Sequence, residues 1–229
     1  MKKFALVTGA GGNLGKAVVS KLMESGYQVT GIVSSQTPVE FTKSAKFEIF
    51  QADLADESSI REILQRIFDK YPVMDAAVLT AGGFAMGTIR NTGKADLDRM
   101  YRLNFETSYF TAREVFQKME TQPEGGRIFF IGARPALRPA LGKNSLAYTL
   151  TKSMLLSLSE LINEEGKNKG IFSTVIVPGI IDTPPNRESM PDSDFTKWVS
   201  PEMIAENILF LLSDAGRKLR QPVIQISGD

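Results

Sequence analysis

Apolar residues along the chain gather in two alternating kinds of run. Short, nearly continuous ones cover residues 4–7, 28–33, 47–51, 75–80, 126–131, 171–177 and 223–226. Runs of that length and density read as strands of a parallel sheet covered on both faces. Between them, apolar positions recur at helical spacing. Leu14, Val18, Leu22 and Met23 mark a helix ending near Ser25, and Ile60, Ile63, Leu64 and Ile67 mark one over 57–70. Met100, Leu103, Tyr109, Phe110, Val115 and Phe116 predict a core stripe along one helix over 94–119, with Asn104 among them. Leu150, Leu155, Leu158, Leu161 and Ile162 belong to a helix running to Glu165 with Gly166 as its stop, and a last amphipathic helix covers 201–212. Asp56 stands where an N-cap belongs. Strand and helix alternate throughout, so the expectation is an α/β protein, and with no compositional break in 229 residues, a single domain over 1–229.

One stretch breaks the alternation. Residues 180–200 contain Pro184, Pro185 and Pro191 and show no periodicity. Phe195 and Trp198 are out of place in a disordered tract, so this segment is expected to pack as a lid over a substrate pocket.

The first strand runs directly into TGAGGNLG, residues 8–15, and then into a helix and a second strand. A glycine-rich turn in a βαβ unit of this size lets the backbone approach a pyrophosphate and aims helix N–H groups at it. Gly9, Gly12 and Gly15, with Asn13 and Leu14 between them, are therefore candidate dinucleotide-binding residues; Asn13 tolerates a left-handed backbone better than most. The end of the second strand normally carries a carboxylate for the ribose 2′-hydroxyl of NAD. Here it reads Val33-Ser34-Ser35-Gln36, with no carboxylate and no adjacent cation. Ser34 and Ser35 can bind a phosphate or cap a turn, which tilts the reading toward NADP while leaving NAD open. Asp53 and Leu54, Ala81 and Gly82, and Pro178 and Gly179 follow later strands, at the carboxyl ends where open parallel sheets place ligands.

Composition narrows the chemistry. The 27 basic and 26 acidic residues leave a net charge of +1, without the basic footprint of a nucleic-acid binder. No apolar run reaches the length of a membrane span, so a cytoplasmic protein acting on a small molecule is expected. There is no cysteine or histidine, so disulfides, thiol nucleophiles, Cys/His metal sites and Ser-His triads are excluded, and no metal is expected. Acid–base work then falls to a shifted Tyr, Lys, Asp or Glu. Tyr148 and Lys152 stand four apart on one face of their predicted helix. A cation that close favours the phenolate and lowers the phenol's pKa, which would make Tyr148 a proton donor near neutrality.

Thr8-Gly9 with its spaced glycines, Asp53-Leu54, Ala81-Gly82, Asn104, Tyr148-x-x-x-Lys152 and Pro178-Gly179-x-x-x-Thr183 occur in the order and spacing of the short-chain dehydrogenase/reductase family, which the chain resembles over nearly its whole length. The resemblance implies a single Rossmann-type doubly wound parallel sheet of about seven strands flanked by helices, NAD(P) at its carboxyl edge, and a homodimer or homotetramer. It implies Tyr148 as proton donor, Lys152 as ligand of the nicotinamide ribose, Asn104 as holder of a relay water, and Thr183 near the nicotinamide carboxamide.

Three positions depart from the family pattern. The glycine loop fits TGxxGxxG, the fourth strand ends in Leu79-Thr80-Ala81-Gly82, and no serine stands before the tyrosine, where the chain reads Gly132-Ala133-Arg134-Pro135-Ala136. These departures, with the run from Asp182 to Trp198, are similar to the quinonoid dihydropteridine reductase branch, although Asn104 follows the wider family and that branch's acidic NAD-selecting residue is absent. The missing serine leaves three readings. The substrate is a conjugated ring needing no alkoxide donor; or Ser145, Asn144 or Arg134 replaces the donor; or the protein is a dinucleotide-binding sensor.

Overall fold

The computed structural model describes residues 3–34 and 44–228. In chain order its main elements are β1 (Phe4–Thr8), α1 (Asn13–Glu24), β2 (Gln28–Val33), β3 (Phe47–Gln51), α2 (Glu57–Lys70), β4 (Ala76–Leu79), α3 (Lys94–Tyr101), α4 (Thr107–Glu120), β5 (Gly126–Ile131), α5 (Arg134–Leu137), α6 (Leu146–Gly166), β6 (Ile171–Pro178), α7 (Pro184–Ser189), α8 (Pro201–Leu212) and β7 (Val223–Ile226). The seven strands form one all-parallel sheet in the order β3-β2-β1-β4-β5-β6-β7. The order reverses between β1 and β4, and such a reversal opens a crevice at the carboxyl edge.

The continuous apolar strands have the burial they predict. Every residue of β1, β4, β5 and β6 is buried, whereas β3 at the sheet edge is half-buried or exposed. One face is covered by α1 and α8, through Val18, Leu22, Ile204 and Ile208. Ile60 and Leu64 of α2, Val115 and Met119 of α4, and Leu155 and Ile162 of α6 cover the other. Asp56 caps α2 as expected, accepting from the Ser59 backbone N–H at 2.8 Å. Among the described residues, no helix is long and apolar enough to cross a membrane.

Three sequence expectations change and one is refined. The helix predicted over 94–119 is interrupted by a π-helical turn at Arg102–Glu106. The wider turn shifts the phase of all that follows, so Leu103 and Tyr109 emerge 39% and 37% exposed while Asn104 is fully buried. On α6, Leu150 and Leu161 lie on the outer face at 53% and 68% exposure, off the stripe through Leu155, Ser159 and Ile162. α6 ends at Gly166 as expected, but Gly166 keeps a right-handed backbone at φ −84° and is not a left-handed cap. A 3₁₀ turn, Lys167–Lys169, follows it and Gly170 at φ +70° makes the reversal; Gly166 is instead a close-packing position, where a Cβ would lie 2.8 Å from Ile171 Cβ. Finally, the irregular segment contains α7, which begins at Pro184, where a missing N–H costs nothing. Trp198 is buried with Phe195 edge-on at 4.7 Å, and paired bonds tie Ile180–Asp182 to Val199.

Candidate active site

The glycine loop leaves β1 with Gly9 at φ +64°, a conformation that favours glycine, and a Cβ there would sit 2.8 Å from Ala81 N. Thr80 Oγ1 donates to the Thr8 carbonyl at 2.7 Å, which holds the ends of β1 and β4 together. No side chain caps α1 and no acid stands in its first turn. Its leading N–H groups therefore remain for an anion, as a bound pyrophosphate requires. Gly15 serves packing: a Cβ there would collide with the Gly9 carbonyl.

Gly9, Gly12, Ser34, Asp53, Leu54, Ala81 and Gly82 line one cavity of about 300 Å³ at this edge. Arg102, Leu103 and Thr107 line it too and were not foreseen. Arg102 holds Asp53 Oδ2 at 2.8 Å, while Asp53 Oδ1 accepts from Ala55 N. Proximity of Arg102 to Asn104 in the chain is the only sequence signal for it. Asn13 and Leu14 begin α1 outside the cavity lining, Leu14 buried in the core, and Ser35 lies outside the described residues. A larger cavity of about 520 Å³ opens at the opposite, amino edge beside Asp75, Arg127 and Arg217. No candidate residue lines it, and the sheet geometry places the site at the carboxyl edge.

Beside the smaller cavity, Asn104 and Lys152 converge. A Cβ on Gly82 would be 2.8 Å from Asn104 Oδ1 and 3.4 Å from Lys152 Nζ, so glycine leaves room for both. Asn104 Oδ1 accepts from Gly83 N at 3.1 Å, which fixes the amide in the π turn. Lys152 Nζ donates to the Ile131 carbonyl at 2.8 Å and lies 5.9 Å from the centre of the Tyr148 ring. Phe84 meets that ring edge-on at 5.0 Å. Phe84 is held near α6 because Gly87 exchanges backbone bonds with Asn144 and Leu146 at 2.8 Å. The Tyr148 hydroxyl makes no hydrogen bond with the described residues.

Burial pushes the Tyr148 phenol up to about 12 and the Lys152 ammonium down to about 8. This corrects the expectation that Lys152 lowers the tyrosine: the ammonium is turned to the Ile131 carbonyl, and desolvation dominates both groups. At neutral pH Tyr148 is therefore a protonated donor.

At the expected serine position stands Ala133, buried at the start of α5. Of the three candidate substitutes, Ser145 is buried with its hydroxyl 3.4 Å from Thr149 Oγ1, and Asn144 is exposed with its backbone carbonyl holding Gly87. The Arg134 guanidinium packs against Gly179, where a Cβ would lie 2.5 Å from Nη2. Pro178 ends β6, and Thr183 caps α7 by accepting from Asn186 N at 3.4 Å. Among the described residues, no group of three His, Cys, Asp or Glu could hold a metal ion.

Comparison with known proteins agrees with this geometry. The chain is 26% identical over 240 residues to 2,3-dihydro-2,3-dihydroxybenzoate dehydrogenase of Escherichia coli, covering 97% of this chain and 94% of that one. It is 24% identical over 255 residues to a versicolorin reductase of Emericella nidulans, at 99% and 94% coverage. The solved structure of ElxO with NADP bound shares the fold at a TM-score of 0.87, with 23% identity over 100% of this chain and 98% of that one. A 3-ketoacyl-(acyl-carrier-protein) reductase from Brucella melitensis, complexed with NADH, does so at 0.83, with 20% identity over 98% and 95%. The short chain dehydrogenase model matches residues 3–194, and the chain therefore belongs to the short-chain dehydrogenase/reductase family of NAD(P)-dependent oxidoreductases.

Proposed function

We propose that this chain is an NADP(H)-preferring reductase in which Tyr148 gives the proton that accompanies hydride transfer to a small carbonyl or conjugated-ring substrate. The observation that carries the reading is the convergence of Asn104 and Lys152 on Gly82, with Tyr148 one helical turn from Lys152 and its hydroxyl unengaged by the described residues. Gly9 and Gly12, the uncapped start of α1, and Ser34 fit the pyrophosphate and ribose of a dinucleotide, with Asp53, Leu54, Ala81 and Gly82 around them. When bound, that cofactor supplies the hydride.

The chain's own groups do the rest. Burial keeps the phenol protonated until a substrate atom takes its proton. Lys152, brought down to about 8 by burial but still an ammonium at pH 7, supplies a donor for the ribose and for the phenolate as it forms. Asn104, fixed through Gly83, positions the relay water. Gly179 and Thr183 border the nicotinamide end. The alanine at position 133 supports a substrate whose reduction does not concentrate charge on one alkoxide, because losing an oxyanion donor typically costs about 10²- to 10³-fold. A quinonoid dihydropterin is such a ring. The exposed apolar residues Tyr109, Leu150 and Leu161 on α4 and α6 favour a homodimer or homotetramer.

The test is a screen of NADPH and NADH oxidation across quinonoid dihydropterin, quinones, aldehydes and ketones, repeated with Tyr148→Phe. Turnover should fall by about 10²-fold or more in the variant while the dinucleotide still binds. Undiminished turnover would remove Tyr148 from the chemistry.

A further inference from the structure

Arg134 follows Ala133 at the carboxyl end of β5, and its guanidinium reaches across to Gly179 at the carboxyl end of β6. Two features set it apart from Arg187 and Arg102. Arg187 is bound bidentately by Asp182 at 2.6 and 2.7 Å, and Arg102 is held by Asp53. The Arg134 side chain, by contrast, is exposed, and its guanidinium makes no hydrogen bond or ion pair with any described residue. Its place is nevertheless defined. Gly179 offers a flat backbone surface that any side chain would fill, since a Cβ would approach Nη2 to 2.5 Å and Cζ to 3.2 Å. Glycine at 179 thus lets the guanidinium lie directly against the backbone at the end of β6.

A planar guanidinium with donors unspent is suited to a carboxylate, which it grips through two parallel N–H···O bonds. Holding such a group beside the reacting edge fixes a substrate's orientation without contributing to the proton transfer. Apolar surface is available for the rest of the molecule: Phe84, packed edge-on against Tyr148, is 61% exposed, and Met86 in the same loop is 68% exposed. Neither Ser145 nor Asn144 competes for the anchoring role, because the first is buried beside Thr149 and the second, though exposed, carries no charge to meet a carboxylate.

We infer that Arg134 is the anion anchor of the substrate pocket and that the physiological substrate is a carbonyl or conjugated-ring compound with an apolar body and a carboxylate. This rests on the active-site reading above and names its substrate class. Arg134 is a positioning residue, so its effect belongs in substrate affinity, while Tyr148 governs the rate of the bound complex.

The experiment uses two aromatic carbonyl acids, benzoylformate and 4-carboxybenzaldehyde, beside their neutral methyl esters. Each is titrated against the NADP⁺-loaded full-length protein, followed by thermal shift and calorimetry, and each is assayed with NADPH. At least one acid should bind about 10- to 100-fold more tightly than its ester. Arg134→Ala should erase that preference and leave ester binding and NADP⁺ affinity unchanged, and Arg134→Lys should keep part of it. Tyr148→Phe should retain the preference and lose turnover. Equal binding of acid and ester by the unmodified protein, or an Arg134→Ala loss shared equally by both, overturns the anchor. A weakened NADP⁺ affinity in Arg134→Ala also overturns it and assigns the guanidinium to the cofactor. The active-site reading fails separately, if Tyr148→Phe turns over as fast as the unmodified enzyme.

Discussion

Replacing Lys152 by methionine should destroy activity and make the fold more stable at neutral pH. Lys152 is 6% exposed, and burial brings its ammonium from 10.5 down to about 8. At about 1.4 kcal/mol per pH unit, keeping that group charged at pH 7 costs the native state about 3 kcal/mol. The bond to the Ile131 carbonyl offsets part of this, and a methionine would leave that carbonyl without its donor, a loss of about 1–2 kcal/mol. Methionine fills nearly the same volume and carries no charge. The difference is a gain of about 1–2 kcal/mol, or a midpoint roughly 2–8 °C higher for a chain of this size. The pH dependence carries the sharper signature. Between about 8 and 10.5 the unfolded chain still holds a proton that the native state has released, so the unmodified protein becomes more stable as pH rises through this window. Lys152→Met lacks that gain, and its advantage should shrink as pH approaches 10.5. Urea denaturation at pH 7 and pH 10 reads both effects. A variant less stable than its parent at pH 7, or an advantage equal at both pH values, would refute the desolvation argument.

Two further substitutions probe the cofactor side. Ser34→Asp should move the preference between NADPH and NADH at least tenfold toward NADH in kcat/KM, because it places a carboxylate in the cavity lining at the end of β2. Position 34 is the right place for it, since Val33 is 1% exposed and an acid there would be buried. Gly82→Ala should cost about 1–3 kcal/mol in a thermal melt and lower kcat/KM together, because the new methyl must displace Asn104 Oδ1 or the Gly83 bond that it holds.

The sheet could be read from the chain because its signals are local. Strands β2, β3, β5 and β7 end where the apolar runs end, and Asp56 begins α2 because a short acidic side chain at that point satisfies a leading N–H. What could not be read depends on contacts between distant residues or on departures from regular geometry. Helical periodicity assumes 3.6 residues per turn, so the π turn at Arg102–Glu106 put Leu103 and Tyr109 on the wrong side. The neighbours of Gly82 come from α6 and the π turn, and nothing near position 82 announces them. Arg134 met Gly179 only once β5 and β6 paired in register. The direction of the Tyr148 shift is not legible for a similar reason: spacing brings a cation near, but only burial and the Ile131 carbonyl decide which effect dominates.

The bonds between Asp182 N and the Val199 carbonyl, and between Val199 N and the Ile180 carbonyl, both 2.8 Å, close the irregular segment into a ring of backbone with its two feet clamped side by side. Such a ring has already met most of the entropy of bringing its ends together, a term that grows only slowly with length. Its remaining freedom is therefore internal. Changes in the length or composition of the intervening residues can be taken up inside the ring without disturbing β6 or α8. As the lid expected from the sequence, such a ring would let substrate choice evolve in the loop while the proposed hydride-transfer residues stay as they are.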